Sequence, residues 1–298
     1  MQQIEIQQGM LFDEPDKAAG NKLAHFEDCA AAIDLLYQQA LGVDKGDDFY
    51  AFHAFTTKMA RFSNLSAYNA MLVITQRPGA LAVGGRQQWA DIERTVRPDA
   101  IPIVVLQPFG PVRFVFEFND TEGAEIPGER MSTLFAKGII ADDQYIRTKA
   151  TCANYGIEVV ETDQYGTLLA GTAAAINIFP EILPWKMKES PRYRVKLNAK
   201  HDLPSRFSTL AHELGHIYCG HLGADAKGRW PDRSGLTHAQ CELEAEAVAW
   251  LVCQRTGISP RSKEYLSTLA TSEHIRAVSA YAVFEAANRI ESRTSPKK

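Results

Sequence analysis

The run His212-Glu-Leu-Gly-His216 constrains this chain more than any other feature, because its chemistry requires a helix. Residues four apart in an α-helix lie one turn up on nearly the same face, so both imidazoles can address one ion with Glu213 beside them. Zinc is satisfied by two such histidines, a third protein ligand and a water, whose pKa it lowers towards about 7. Glu213 can then take the water's proton. A motif this short also arises by chance, so its surroundings matter. Asp202 and Pro204 give a helix start, Phe207, Leu210, Ala211 and Leu214 form an apolar stripe, and Gly220 can end the helix. Gly215, inside the helix, costs roughly 1 kcal/mol relative to alanine, which implies a neighbour packed closely against it.

A third ligand is expected from the acid-rich run Cys241-Glu-Leu-Glu-Ala-Glu-Ala-Val-Ala-Trp-Leu-Val252. Glu242 and Glu246 share a helix face, and Glu244 points about 200° away from them. The reading favours Glu246 as the ligand and Glu242 as the group that orients a ligand histidine, with the reverse assignment open. A solvated acidic face is the alternative for each. His221 and His238 are further candidates for polarising substrate, against an ordinary packing or surface role. The strand expected at Tyr193–Leu197, if it were an exposed edge, could take an extended peptide by strand addition.

Around this centre the pattern is α+β. Residues 1–20 read as a polar, Gln-rich arm and 293–298 as a tail. Helical periodicity runs from Phe26 to Leu41 and again from Phe49 to Ile74, followed by two strands, Ile101–Leu106 and Val112–Phe118, joined as a hairpin. Asn119–Arg130, polar with two glycines and a proline, is the expected linker between a domain at 21–125 and one at 126–292. The second half reads as a helix near 131–155, strands near 157–160, 168–178 and 193–197, and helices near 204–220, 237–256 and 272–292.

The chain has 298 residues, a formal charge of −4 and five cysteines without a CxxC pair, so neither a disulfide framework nor a cysteine zinc site is indicated. No segment has the ~18 consecutive apolar residues of a membrane span, and the start lacks the features of a signal peptide, so a cytoplasmic protein is expected. The charge excludes a global field for nucleic acid. Locally, residues 54–115 carry seven Lys/Arg against three acids, interleaved with Phe62, Tyr68 and Trp89. That combination can track a backbone and stack bases, though the aromatics can equally be core.

The stretch Arg206–His216, with Tyr193–Asn198 upstream, resembles the ImmA/IrrE metallopeptidases. That resemblance implies a gluzincin-type C-terminal domain in which Glu213 is catalytic and His212, His216 and a downstream glutamate bind zinc. Ala245–Cys253 with Gly257-Ile258 is similar to the equivalent helix of ArdC-type antirestriction proteins, which supports Glu246. Phe62–Asn69, Gln76–Pro78, Val83-Gly84, Trp89 and Phe116–Gly123 resemble more loosely the single-stranded-DNA-binding domain of the same proteins. Where those domains often carry Lys-Gly-Glu, this chain has Arg97-Pro-Asp-Ala100. The resemblance implies a helical and β-hairpin N-terminal module contacting DNA through Arg61, Tyr68, Asn69, Arg77, Arg86, Trp89 and Arg97. The expected protein is a zinc peptidase acting on a peptide or protein, with single-stranded DNA as a second partner. The alternative is a DNA-binding antirestriction protein whose zinc is structural.

Overall fold

The structure, a computed structural model, describes residues 30–38, 48–107, 110–126, 142–164, 169–176, 192–225, 227–258 and 272–294. The arm, most of the tail, the hairpin turn at 108–109 and the first part of the helix expected near 131–155 lie outside them. The described elements are mixed α and β, and among them no helix is long and apolar enough to cross a membrane.

The first half opens with helix α1 (residues 30–38), α2 (Asp48–Arg61) and α3 (Ala67–Gln76). The single amphipathic stretch expected from Phe49 to Ile74 is thus two helices, split where Ser66 caps α3 by accepting the Asn69 N–H. Then come β1 (Val83–Gly84), the short α4 (Arg86–Ala90), β2 (Arg94–Val96), β3 (Ile103–Gln107), β4 (Gly110–Glu117) and β5 (Thr121–Gly123). β3 and β4 form the antiparallel hairpin and β1 adds to β4, giving the order β1-β4-β3. β2 and β5 make a separate antiparallel pair. The first residues of the expected linker are therefore built into a strand.

β3 is a sheet edge, with a row of backbone groups that would invite another chain. Two amides of α3 occupy it. Asn69 exchanges hydrogen bonds with the Leu106 backbone at 2.8 and 2.9 Å, and Gln76, two turns on, does the same with Val104 at 2.8 and 2.9 Å.

The second half contains α5 (Asp142–Cys152), β6 (Ile157–Thr162), β7 (Gly171–Ala175), β8 (Tyr193–Asn198), α6 (Leu203–Tyr218), α7 (His238–Arg255), α8 (Ser272–Arg276) and α9 (Ala280–Thr294). Its sheet has the order β6-β8-β7, with β6 parallel and β7 antiparallel to β8. β8 is therefore the central strand, with alternate residues Tyr193, Val195 and Leu197 buried, and its backbone is taken on both sides. The outer strands are β6 and β7.

Helix α7 is buried continuously from Leu243 to Cys253 and contacts α2, α6 and α9, the environment of a helix apolar around most of its circumference. One hydrophobic cluster extends through it from Tyr37 and Phe55 to Ile290, while Ala82, Trp89, Val96 and Phe116 form a second, smaller one. At the end of α7, Arg255 reaches back across the chain. It pairs with Glu291 at 2.5 Å and donates to the carbonyls of Met59, Phe62 and Leu65 at the end of α2.

Candidate metal centre

The first turn of α6 is fixed by Asp202, whose carboxylate accepts the Ser205 N–H at 2.9 Å, with Pro204 in that turn. His212 and His216 follow one turn apart, their rings edge to face with centroids 4.9 Å apart. The helix ends at Gly220, which is left-handed at φ 82°. Gly220 N–H bonds Ile217 O at 3.1 Å and His221 N–H bonds His216 O at 3.0 Å, the paired pattern of a Schellman cap. A side chain at Gly220 would meet Pro231 O at 2.2 Å, so the position requires glycine.

Gly215 faces α7. A Cβ there would lie 3.0 Å from Ala245 Cα and 3.1 Å from Ala245 O, so the two helices approach backbone to backbone. This approach carries the acidic face of α7 onto the histidines. Nε2 of His212 and Nε2 of His216 lie 3.2 Å apart. Glu242 Oε1 is 3.3 Å from His216 Nε2 and Glu242 Oε2 is 3.6 Å from His212 Nε2. Donors 2.0–2.1 Å from a tetrahedral ion sit about 3.3–3.4 Å from one another. The three groups thus have the chemistry and the spacing to hold one.

Glu246 stands on the other side of His212, its Oε2 2.9 Å from Nδ1. Glu242, and not Glu246, thus lies within reach of both converging nitrogens, the arrangement expected of the reverse assignment that the sequence left open. Glu242 faces the converging nitrogens and Glu246 orients a ring from behind. Their shared face was legible; the separation of one helical turn along the α6–α7 crossing was not. Accepting from Nδ1–H, Glu246 fixes Nε2 as the nitrogen of His212 that faces the centre and could ligate an ion there.

Glu213, 7% exposed, lines the same pocket of about 450 Å³ with His212, His216 and Glu242. Burial raises its carboxyl above the usual range, the neighbouring histidine charges working against this, and the Ala173 backbone donates a hydrogen bond to it. Burial opposes a charge on His212, but Glu242 and Glu246 outweigh it and lift the imidazole to about 10. Hydrogen bonds from His212 and His216 hold Glu242 well below the usual carboxylate range. Glu244 points away from both other glutamates; it is fully buried, paired with Arg233 at 2.6 Å and with His221 at 3.0 Å. His238 is exposed at the pocket rim, 3.7 Å from Glu242.

β7 forms one wall. Asn198 N–H bonds Ala170 O and Ile176 N–H bonds Arg192 O, so even-numbered residues of this strand face β8. By the alternation of an antiparallel ladder, Gly171, Ala173 and Ala175 turn their backbone groups outward. Of the two outer strands β7 is the one that lines the pocket, so it, and not β8, the strand considered from sequence, which has a partner on each side, is the edge an extended peptide could use.

The residues expected to contact DNA do not form one exposed face. Trp89 is 0% exposed and donates to Phe116 O at 3.0 Å, so its ring has no face for a base. Tyr68 packs against Tyr281 and Phe284, and the Asn69 amide is spent on β3. Arg77 and Arg97 both pair with Asp120, at 2.9 and 3.8 Å. Arg61 and Arg86 remain exposed, the latter over the Phe116 ring at 4.6 Å. Phe114, which the sequence reading passed over as a hairpin residue, is 53% exposed on β4.

Residues 152–285, a little under half of the chain, match the family model of the IrrE N-terminal-like domain, Peptidase M78. Among solved structures, the antirestriction protein ArdC from plasmid R388 aligns in its Mn(II)-bound form at 14% identity and a TM-score of 0.36, covering 83% of this chain and 99% of that one. Its metal-free form aligns at 16% identity and 0.34, covering 77% and 84%. No curated protein matches the chain significantly.

Proposed function

We propose that this chain, which carries an IrrE N-terminal-like domain over residues 152–285, is a zinc-dependent peptidase with His212, His216 and Glu242 as metal ligands and Glu213 as general base. The observation that carries the reading is the convergence of two Nε2 atoms and one carboxylate at 3.2–3.6 Å, the edge lengths of a tetrahedral site. A bound zinc ion would polarise the scissile carbonyl and the attacking water. Glu213 takes the proton from that water, and its upward-shifted carboxyl suits it to pass the proton on to the leaving amine. Glu246 holds His212 in the tautomer that ligates. The outward backbone groups of Gly171 and Ala175, with the Ala173 carbonyl, bind the substrate as an added strand, the Ala173 N–H being spent on Glu213, which favours an extended peptide over a compact substrate.

Single-stranded DNA is proposed as a second partner of the first half, through what stays exposed there: Arg61, Arg86 and, as a stacking face, Phe114. Fluorescence anisotropy with a labelled oligonucleotide at low and high salt tests this part. Binding unaffected by Phe114→Ala would remove the stacking role.

The test of the catalytic reading is Glu213→Gln. Loss of peptide hydrolysis with one bound zinc and an unchanged melting temperature supports it. Unaltered activity in that variant would leave the zinc a structural role.

A further inference from the structure

His216 presents Nε2 to the pocket, and its other ring nitrogen leads away from it. His216 Nδ1 lies 3.1 Å from Nδ1 of His221. Two imidazole nitrogens at this distance share one hydrogen, and which of them carries it is decided on the far side of His221. There, Nε2 lies 3.0 Å from Oε2 of Glu244. The Glu244 carboxylate also accepts both Arg233 terminal nitrogens, at 2.6 and 2.7 Å, and the Ser279 N–H at 2.9 Å. A carboxylate forked by a guanidinium is an acceptor, so His221 donates to it from Nε2. A neutral His221 then offers only a lone pair at Nδ1, and His216 must be the donor. With Nδ1–H of His216 committed to His221, Nε2 is the nitrogen left for an ion; without one it faces Glu242 as a donor.

We propose that His221 is a positioning residue for the metal centre. Backed by Glu244 and Arg233, it fixes the tautomer and ring orientation of His216 as Glu246 fixes those of His212. The inference rests on the reading of His212, His216 and Glu242 as metal ligands.

The fold builds this relay deliberately. The left-handed turn at Gly220 returns the chain so that His221 meets His216 twice, by backbone and by ring. Arg233 is held by its own N–H to Gly220 O at 2.9 Å and by Nη1 to Cys219 O at 3.0 Å. Glu244, turned away from the pocket, is unable to ligate there, and its full burial is explained by this partnership. Cys219, His221 and Glu244 also cluster closely enough to suggest a second metal site. The Arg233 guanidinium already supplies the positive charge there, and a second cation beside it would be repelled.

The test uses the full chain with zinc, read by competition with a chromophoric chelator and by the visible spectrum of the Co(II)-substituted protein. His221→Leu removes the acceptor at similar volume and is expected to weaken zinc about 10- to 100-fold and to alter the Co(II) bands. His221→Asn, whose Oδ1 can accept where Nδ1 did, is expected to stay within about threefold of the wild type. A folded His221→Leu with wild-type affinity and spectrum overturns the proposal. If that variant does not fold, a folded His221→Asn that loses tenfold overturns it, and one that retains affinity supports it. A wild-type protein that takes up no stoichiometric zinc overturns the ligand reading itself, and this inference with it.

Discussion

Replacing Gly215 with alanine would add one methyl group at the α6–α7 crossing, and its size can be set against the tolerance of the metal centre. The new Cβ would sit 3.0 Å from Ala245 Cα, 3.1 Å from Ala245 O and 3.3 Å from Val248 Cβ. Carbon pairs are comfortable at about 3.5–4.0 Å, so the helices must part by roughly 0.5 Å. For the fold this is a modest insult. Overpacking costs about 1–3 kcal/mol, and the better helix propensity of alanine returns up to ~1 kcal/mol. For the site the same displacement is larger than the ~0.2 Å within which ligand distances hold. It falls directly on Glu242 and Glu246, both carried by α7. Zinc affinity should therefore drop at least about tenfold, which is ~1.4 kcal/mol, while the metal-free protein loses no more than about 2 kcal/mol. Chelator competition and urea unfolding of the metal-free protein measure the two effects separately. A variant with raised stability and unchanged zinc affinity, the outcome that helix propensity alone would give, refutes the argument.

Glu242→Gln should lose stoichiometric zinc at micromolar protein, while Glu246→Gln should keep it with about 10- to 100-fold weaker affinity; the opposite ranking by metal analysis would restore Glu246 as the ligand. Because Glu242 and Glu246 raise His212 from 6.5 to about 10 against the effect of burial, the metal-free protein gains stability from that proton below pH 6.5 and loses it as pH rises towards 10. Zinc must displace the proton, so affinity should climb by about tenfold per pH unit between 7 and 9 in calorimetry, and a flat profile would contradict the assigned partners. Arg255→Met strands the Glu291 carboxylate and leaves the Met59, Phe62 and Leu65 carbonyls without their donor. Thermal and urea unfolding should show a loss of about 3–5 kcal/mol, and a change under ~1 kcal/mol would mean water replaces the guanidinium.

Short-range information made part of this protein legible. The α6 helix, its Asp202 start and Gly220 end, and the shared face of His212 and His216 follow from spacing, because helical geometry is local. The same holds for the common face of Glu242 and Glu246, the divergent direction of Glu244 and the tight packing implied by Gly215. The alternation of Tyr193, Val195 and Leu197 marked a strand, but nothing local says that β8 is central and β6 and β7 the outer strands. Strand order is set by which chain segments pair across distance.

Tertiary structure alone decided which glutamate meets the nitrogens, since a shift of one helical turn between α6 and α7 exchanges their positions. It also committed Trp89, Tyr68 and Asn69 to the interior, where composition left stacking and packing equally open. His221 shows the division most clearly. Gly220-His221 at the end of a helix is a cap signal that sequence can supply. Its ring partner Glu244 lies 23 residues on and Arg233 twelve, and only the fold brings a buried carboxylate, a guanidinium and the His216 ring together around it. The sequence by itself determined the candidate donors' shared helix faces; the packing of α7 against α6 decided which glutamate lies nearest the histidine nitrogens, because that depends on distances of tenths of an ångström that no pattern of residue types encodes.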